Sequence, residues 1–276
     1  MYKLLFLLFA SFFPAQNYRF VYEYKMKPDI NKKDSLITDY MNLDTNGKKS
    51  FFYNAVKYER DSTYSKDQNY GQLLTSKKYD RNLGYLIEKD YAKKAMKFYD
   101  KYKSVQLIIP DSEIPKWKIE NEFTTINTLK CQKATTYYKG RNWEAWFSKE
   151  YPISDGPYKF IGLPGLIVKM KDADADHEFN LIQIKKIKNI FSLIPKNGKS
   201  VTSSEYVKYL KNDSGNINDN IEAMNMNSKN GTMGVHLKDG YISTLDLNEL
   251  KKSKDFDAAV AKKLQRTNNP IEKEIQ

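Results

Sequence analysis

Residues Tyr18 to Met26 place the strongest constraint on this chain, because their side chains alternate with period two. Tyr18, Phe20, Tyr22, Tyr24 and Met26 share one face, while Arg19, Val21, Glu23 and Lys25 share the other. A helix would scatter those rings around its circumference; an extended strand gathers them. Shorter runs of the same kind recur at 48–53, 84–90, 96–103, 105–109, 117–122 and 134–138, punctuated by pairs such as Asn46-Gly47 and Lys139-Gly140. Such pairs close antiparallel hairpins. Trp143, Ala145 and Phe147 alternate with Glu144 and Trp146, so that strand carries aromatics on both sides, and the runs at 166–171 and 179–186 flank an acidic link. The fold class expected is α+β and sheet-rich: an antiparallel, curved sheet or open barrel holding a few helices.

Two helices are expected. One is capped by Ser203 or Ser204 and carries Tyr206, Val207 and Leu210; the other lies between Lys254 and Arg266, where Phe256, Val260 and Leu264 follow an i, i+4 spacing. Asp255 and Asp257 at its start and Lys262, Lys263 and Arg266 at its end suit the helix dipole. Between 212 and 234 Asn, Ser, Asp and Gly dominate. That composition reads as a mobile polar insertion in a single domain spanning 16–276.

The stretch from Gly156 to Ile167 reads G-P-Y-K-F-I-G-L-P-G-L-I. Gly156, Gly162 and Gly165 can take positive φ, Pro157 and Pro164 fix φ, and Leu163, Leu166 and Ile167 supply apolar bulk. A structural corner is expected here, turning the chain from the strand at Trp143 into one beginning at Leu166. The stretch resembles the signature of the GLPGLI family of exported proteins of Gram-negative bacteria. The resemblance extends through Cys131-Gln132-Lys133-Ala134, through Gly140-Arg141-Asn142-Trp143-Glu144-Ala145-Trp146-Phe147, and to Asn268-Asn269-Pro270-Ile271-Glu272. It implies export and an architecture, and it assigns no catalytic residue.

The amino terminus agrees with export. Lys3 precedes an apolar run from Leu4 to Phe13 that is too short to span a bilayer, which suits a signal peptide over residues 1–15 cut near Ala15-Gln16. The expected product is periplasmic or secreted, with no transmembrane segment. A lone cysteine, Cys131, allows no intramolecular disulfide, and a buried inert thiol is expected there. The net charge is +12, but only five of the 46 cationic residues are arginine and they are scattered. Nucleic-acid sites concentrate cations and favour arginine forks, so no nucleic-acid partner is expected.

Chemistry-bearing motifs are few. Asp172-Ala173-Asp174-Ala175-Asp176-His177-Glu178 spaces oxygens as a calcium loop does, but His177 stands where such a loop needs glycine. A solvated hairpin link is expected, with a weak Ca²⁺ site as the alternative, and no metal ligand is assigned. Nucleophile elbow, paired-histidine zinc helix, P-loop and dinucleotide turn are all missing, so neither cofactor nor catalytic residue is expected. Carboxylates that meet in space could still form a glycosidase-type pair. Arg141, Trp143 and Trp146 are the candidate ligand-binding residues, a guanidinium fork beside an aromatic platform. The competing reading packs the tryptophans in the core and lets Arg141 close a hairpin. The function expected is an exported, non-enzymatic binding or envelope-associated module for a hydrophobic or peptide-like ligand or an envelope protein. Alternatives are an unrecognised periplasmic hydrolase using carboxylates and a purely structural partner of an envelope complex.

Overall fold

The computed structural model describes residues 16–59, 79–213, 220–227, 230–264 and 266–273; the expected signal peptide at 1–15 lies outside them. Twelve strands form one sheet: β1 (Tyr18–Met26), β2 (Ile37–Thr45), β3 (Lys49–Asn54), β4 (Leu86–Asp90), β5 (Ala95–Tyr102), β6 (Val105–Asp111), β7 (Lys118–Ile126), β8 (Leu129–Tyr138), β9 (Arg141–Ser148), β10 (Leu166–Asp172), β11 (His177–Lys186) and β12 (Lys199–Ser200). Their spatial order is β12-β6-β5-β4-β3-β2-β1-β11-β10-β9-β8-β7. All pairs are antiparallel except the short β12, which runs parallel to β6.

The sheet is curled, as the chain itself requires. β6 and β7 are consecutive in sequence yet ten places apart in the sheet. Ten places on a flat sheet span about 48 Å at ~4.8 Å per strand. The link from Asp111 to Lys118 reaches only about 25 Å. Curling brings the two ends together, and the Lys139 ammonium at the β8–β9 turn stands 3.4 Å from the Asp111 carboxylate at the end of β6. Inside the curl lies the main core, in which Phe20, Tyr22, Tyr24 and Met26 of β1 join Phe52, Phe98, Trp143, Phe147 and Phe179. On the outer face Phe51, Tyr53, Leu86 and Tyr99 are covered by Phe191.

β2 was not among the expected strands. Its Asp39, Asn42 and Asp44 break the apolar alternation, yet all three are buried. Neighbouring strands partner the two aspartates: Arg19 forks onto Asp44 at 2.7 and 2.8 Å, and Asn54 donates to Asp39 at 2.9 Å. The polar stretch at 212–234 also differs from expectation. It contains β13 (Ile221–Asn227) and the start of β14 (Thr232–Leu237), which pair with β15 (Ile242–Asp246) in a second sheet. A separate core of Met233, Val235, Leu237, Leu245, Leu247, Leu250, Val260 and Leu264 joins this sheet to helices Leu247–Leu250 and Phe256–Leu264. The i, i+4 spacing of Val260 and Leu264 thus buries against a sheet.

The other expected helix spans Ser203–Asp213, and its cap is Thr202, not Ser203 or Ser204. Thr202 Oγ1 accepts the Glu205 amide at 3.2 Å while Glu205 Oε2 accepts the Thr202 amide at 2.8 Å, a capping box. Among the described residues no helix is long and apolar enough to cross a membrane.

The corner at 156–167 does join β9 to β10, but it does so by folding inward across the curl. Tyr158, Phe160, Ile161 and Leu163 are all buried. Phe160 is surrounded by Trp117, Tyr138, Trp143 and Tyr158, with ring centroids 4.7–6.3 Å away. Burying such a ring contributes about 1.5–3 kcal/mol. Trp117 Nε1 donates to the Ile161 carbonyl at 2.8 Å and Tyr22 Oη to the Ile167 carbonyl at 2.6 Å. Beneath the corner, a wholly buried Lys89 ammonium meets Asp155 at 2.6 Å and the Gly156 carbonyl at 2.7 Å.

Of the three glycines expected at positive φ, only Gly162 adopts it, at +101°, while Tyr158, a bulky residue, sits at +51°. Gly156 and Gly165 serve close approach instead. A Cβ on Gly156 would lie 2.6 Å from Ile167 Cδ1, and one on Gly165 only 2.2 Å from the Ser148 carbonyl oxygen.

Candidate functional site

The inner face of the curl is not completely filled. A cavity of about 410 Å³ opens between it, helix Ser203–Asp213 and the segment from Arg266 to Glu272. Tyr24 and Met26 of β1 and Phe98 and Asp100 of β5 face it, since residues two apart on a strand share a side. Tyr85, just before β4, and Tyr158, from the inward corner, complete an aromatic wall. His177 closes one side, Tyr206 and Leu210 of the helix another, and Pro270 and Ile271 form part of the roof.

Charges around the cavity are paired. Asp100 accepts from Tyr206 Oη at 2.6 Å and from Arg266 Nη1 at 2.7 Å. Burial works to raise its carboxyl, but Arg266 overcomes that and holds it below the usual range. Glu272 accepts from Tyr158 Oη at 2.7 Å and pairs with Lys159 at 2.6 Å. Burial first, then these carboxylates, push the Tyr158 and Tyr206 phenols far up, so both remain donors. Two buried polar atoms of lining residues, Tyr85 Oη and His177 Nε2, lie sealed within the wall with no hydrogen-bond partner among the described residues.

His177 Nδ1 shares a 2.8 Å hydrogen bond with Tyr24 Oη. Burial, and next the charge of Arg141, push its imidazole down to about 3. The folded state therefore refuses a proton that the unfolded chain accepts near its ordinary value of 6.5. This contribution to stability is complete above that value and is lost as pH falls toward 3, at up to about 1.4 kcal/mol per pH unit. Urea unfolding between about pH 6.5 and pH 5, above the carboxylate range, should show wild type losing stability and His177→Gln losing much less. Equal slopes would remove His177 as the source.

The three residues singled out from sequence do not form one platform. Arg141 is buried: Nη1 meets Asp172 at 2.7 Å, Nη2 the Pro270 carbonyl at 2.8 Å and Nε the Ile271 carbonyl at 3.1 Å. Trp143 is buried beside Phe160 and His177, with Nε1 donating to the Tyr138 carbonyl at 3.1 Å. Trp146 projects from the opposite face of β9 into a separate outer groove with Glu144, Lys169 and Lys171. Arg141 and Trp143 thus support the cavity from behind.

The acidic link is less solvated than expected. Asp172 and Asp176 are buried, and Asp172 Oδ1 accepts the amides of Asp176 and His177, both at 2.8 Å. Asp172, Asp174 and Asp176 do cluster. Each has a cationic neighbour: Arg141 for Asp172, Lys273 for Asp174, and Lys27 and Lys33 for Asp176. Cys131 is buried in β8 and its thiol is pushed up by burial, whereas His236 lies in β14 of the other sheet. Sequence reasoning missed Tyr85, His177, Asp100 and Tyr206 as cavity residues. The available signals were Asn268-Asn269-Pro270-Ile271-Glu272 and the corner holding Tyr158, both quoted for the family resemblance; Asn268, Pro270, Ile271, Glu272 and Tyr158 prove to line the cavity.

Fold and cavity together define a curled antiparallel sheet with an internal aromatic pocket. A family model described as "Protein of unknown function (Porph_ging)" matches residues 136–169, a span that runs from the end of β8 through the inward corner into β10. Among solved structures the chain is similar to PNGF-II in two crystal forms. The P21 form gives a TM-score of 0.51 at 15% identity, covering 71% of this chain and 33% of that one. The C2 form gives 0.52 at 13% identity, covering 80% and 40%. The chain thus spans well under half of PNGF-II, and at such identities the likeness concerns the fold alone. No curated protein matches the sequence.

Proposed function

We propose that this protein is an exported, non-enzymatic binding module of the GLPGLI type, periplasmic or secreted, whose hydrophobic or peptide-like ligand occupies the cavity beneath the Arg266–Glu272 segment. The observation that carries this reading is the aromatic wall of Tyr24, Tyr85, Phe98, Tyr158 and Tyr206 around about 410 Å³ of space. That volume falls within the range of small-molecule sites, which are mostly apolar with a few placed polar groups. The motifs that carry the family resemblance support the same place. Tyr158 and Phe160 come from the inward corner, Arg141 and Trp143 from β9, and Pro270, Ile271 and Glu272 form roof and rim.

The hydrolase alternative has its own support, because Asp100 and Glu272 line one cavity. Both are already engaged by a cation and a phenol. Asp100, held ionised by Arg266, is a poor proton donor at neutral pH. Native mass spectrometry of protein purified from the periplasm of an expressing Gram-negative host tests the binding reading. A retained small molecule is expected in wild type, and its loss in Leu210→Trp, which fills the cavity. Wild type and variant with identical masses beyond the substitution would sink it.

A further inference from the structure

The outer face of β8, β9 and β10 is hollowed, and two aromatic rings stand in the hollow. Cross-strand register sets Lys133, Trp146 and Lys169 in one row, Thr135, Glu144 and Lys171 in the next, and Tyr137 opposite Asn142 in a third. Two depressions of about 550 and 720 Å³ lie over these rows, and Glu144 and Lys171 line both. They form one trough. Trp146 lines one end of it, and Tyr137, 69% exposed, lines the other. Trp146 is four residues from Asn142 along β9, which places the two rings about 13 Å apart along the strands. Trp146 Nε1 donates to Glu144 Oε1 at 3.3 Å, and the Lys133 ammonium lies 5.7 Å from the ring centroid, so the indole is held in place.

We infer that this trough binds an uncharged linear oligosaccharide, with sugar rings against Trp146 and Tyr137 and hydroxyls meeting the polar side chains between them. The site is separate from the inner cavity and does not depend on it. Charge favours a neutral ligand. Lys133 pairs with Glu122 and Glu144, Lys169 pairs with Glu178, and Lys171 stands 3.9 Å from Glu144. Asp172, at the floor, is answered by Arg141. Lys116 and Lys118 line the Tyr137 end, where Glu120 accepts from Thr135 Oγ1 at 3.1 Å. These lysines and glutamates nearly balance, which leaves little field to draw a polyanion. An extended peptide gains little either, because β8, β9 and β10 each have a strand on both sides and offer no open main chain to pair with. What the trough does offer is two aromatic rings separated by the Asn142 amide, the Thr135 hydroxyl, the Lys171 ammonium and the Glu144 carboxylate. A pyranose has the matching surface: apolar C–H faces rimmed by hydroxyls that both donate and accept.

Isothermal titration calorimetry with cellohexaose, laminarihexaose, maltohexaose and chitohexaose, all neutral, and with oligogalacturonate, an acidic chain, tests this. Wild type is expected to bind at least one neutral hexaose at millimolar concentration or below, and to bind it better than oligogalacturonate. Trp146→Ala is expected to weaken that hexaose about 10-fold or more and Tyr137→Ala about 3-fold, with circular dichroism unchanged. Should Trp146→Ala fail to fold, Tyr137→Ala decides, since its exposed ring can be removed without disturbing the core. Leu210→Trp, which fills the inner cavity, should leave hexaose binding as it is. If no hexaose binds, if oligogalacturonate binds best, or if the folded aromatic variants bind as wild type does, the trough assignment is overturned. Loss of binding in Leu210→Trp alone would also overturn it, by moving the sugar to the inner cavity.

Discussion

Gly165→Ala is expected to leave the protein largely unfolded, at a cost of about 4 kcal/mol or more. The new Cβ would stand 2.2 Å from the Ser148 carbonyl oxygen and 2.7 Å from its carbon. Neither is a flexible side chain that could swing away. Ser148 is paired with Leu166 in the β9–β10 ladder, so relieving the clash means separating two strands where the corner begins. Gly162→Ala makes a useful contrast. Its positive φ is uncomfortable for any L-residue, but the nearest atoms are 3.5 Å or more away, so a strain of about 1–2 kcal/mol is expected. Urea denaturation followed by far-ultraviolet circular dichroism would rank the two. A Gly162→Ala loss equal to or greater than that of Gly165→Ala would mean that backbone conformation, and not close approach, dictates the shape of the corner.

Arg141→Ala is the second large effect, with an expected loss of about 3–5 kcal/mol. The guanidinium is 1% exposed and so is the Asp172 carboxylate it pairs with. Truncation therefore strands a buried negative charge, and it also removes the donors that hold the Pro270 and Ile271 carbonyls. Arg141→Lys should recover only part, because a single ammonium cannot present the planar fork that reaches Asp172 and both carbonyls. Hydrogen exchange adds a distinguishing readout: faster exchange is expected at Ile271 to Lys273, including the Lys273 amide bonded to the Lys139 carbonyl. Trp146→Ala, half-buried on the other face of β9, should leave that segment protected. Unchanged stability in Arg141→Ala would show that the arginine is free to serve a ligand.

Much of the fold was legible because the rule that reveals a strand is local. Alternation in β1 and the turn pairs Asn46-Gly47 and Lys139-Gly140 act over a few residues, and they land where expected. β2 escaped because its buried aspartates look like surface until Arg19 and Asn54 of the adjacent strands are placed beside them. The corner at 156–167 announced itself by its glycines and prolines. What each glycine is for did not follow, because Gly165 answers to Ser148, seventeen residues away in sequence and in contact only through sheet pairing.

The candidate site was less legible for the same reason. By itself, the sequence determined a sheet-rich chain, its main hairpins, its late helix and the shape-giving corner, all encoded in spacing and backbone preference within short windows. Only the tertiary structure decided that the sheet curls and that the corner folds inward. Only there does Arg141 hold the Asn269–Ile271 segment as a roof while Tyr85, Phe98, Tyr158 and Tyr206 wall one cavity. Those residues lie on elements far apart in the chain, and their meeting depends on closure between strands that no local pattern specifies.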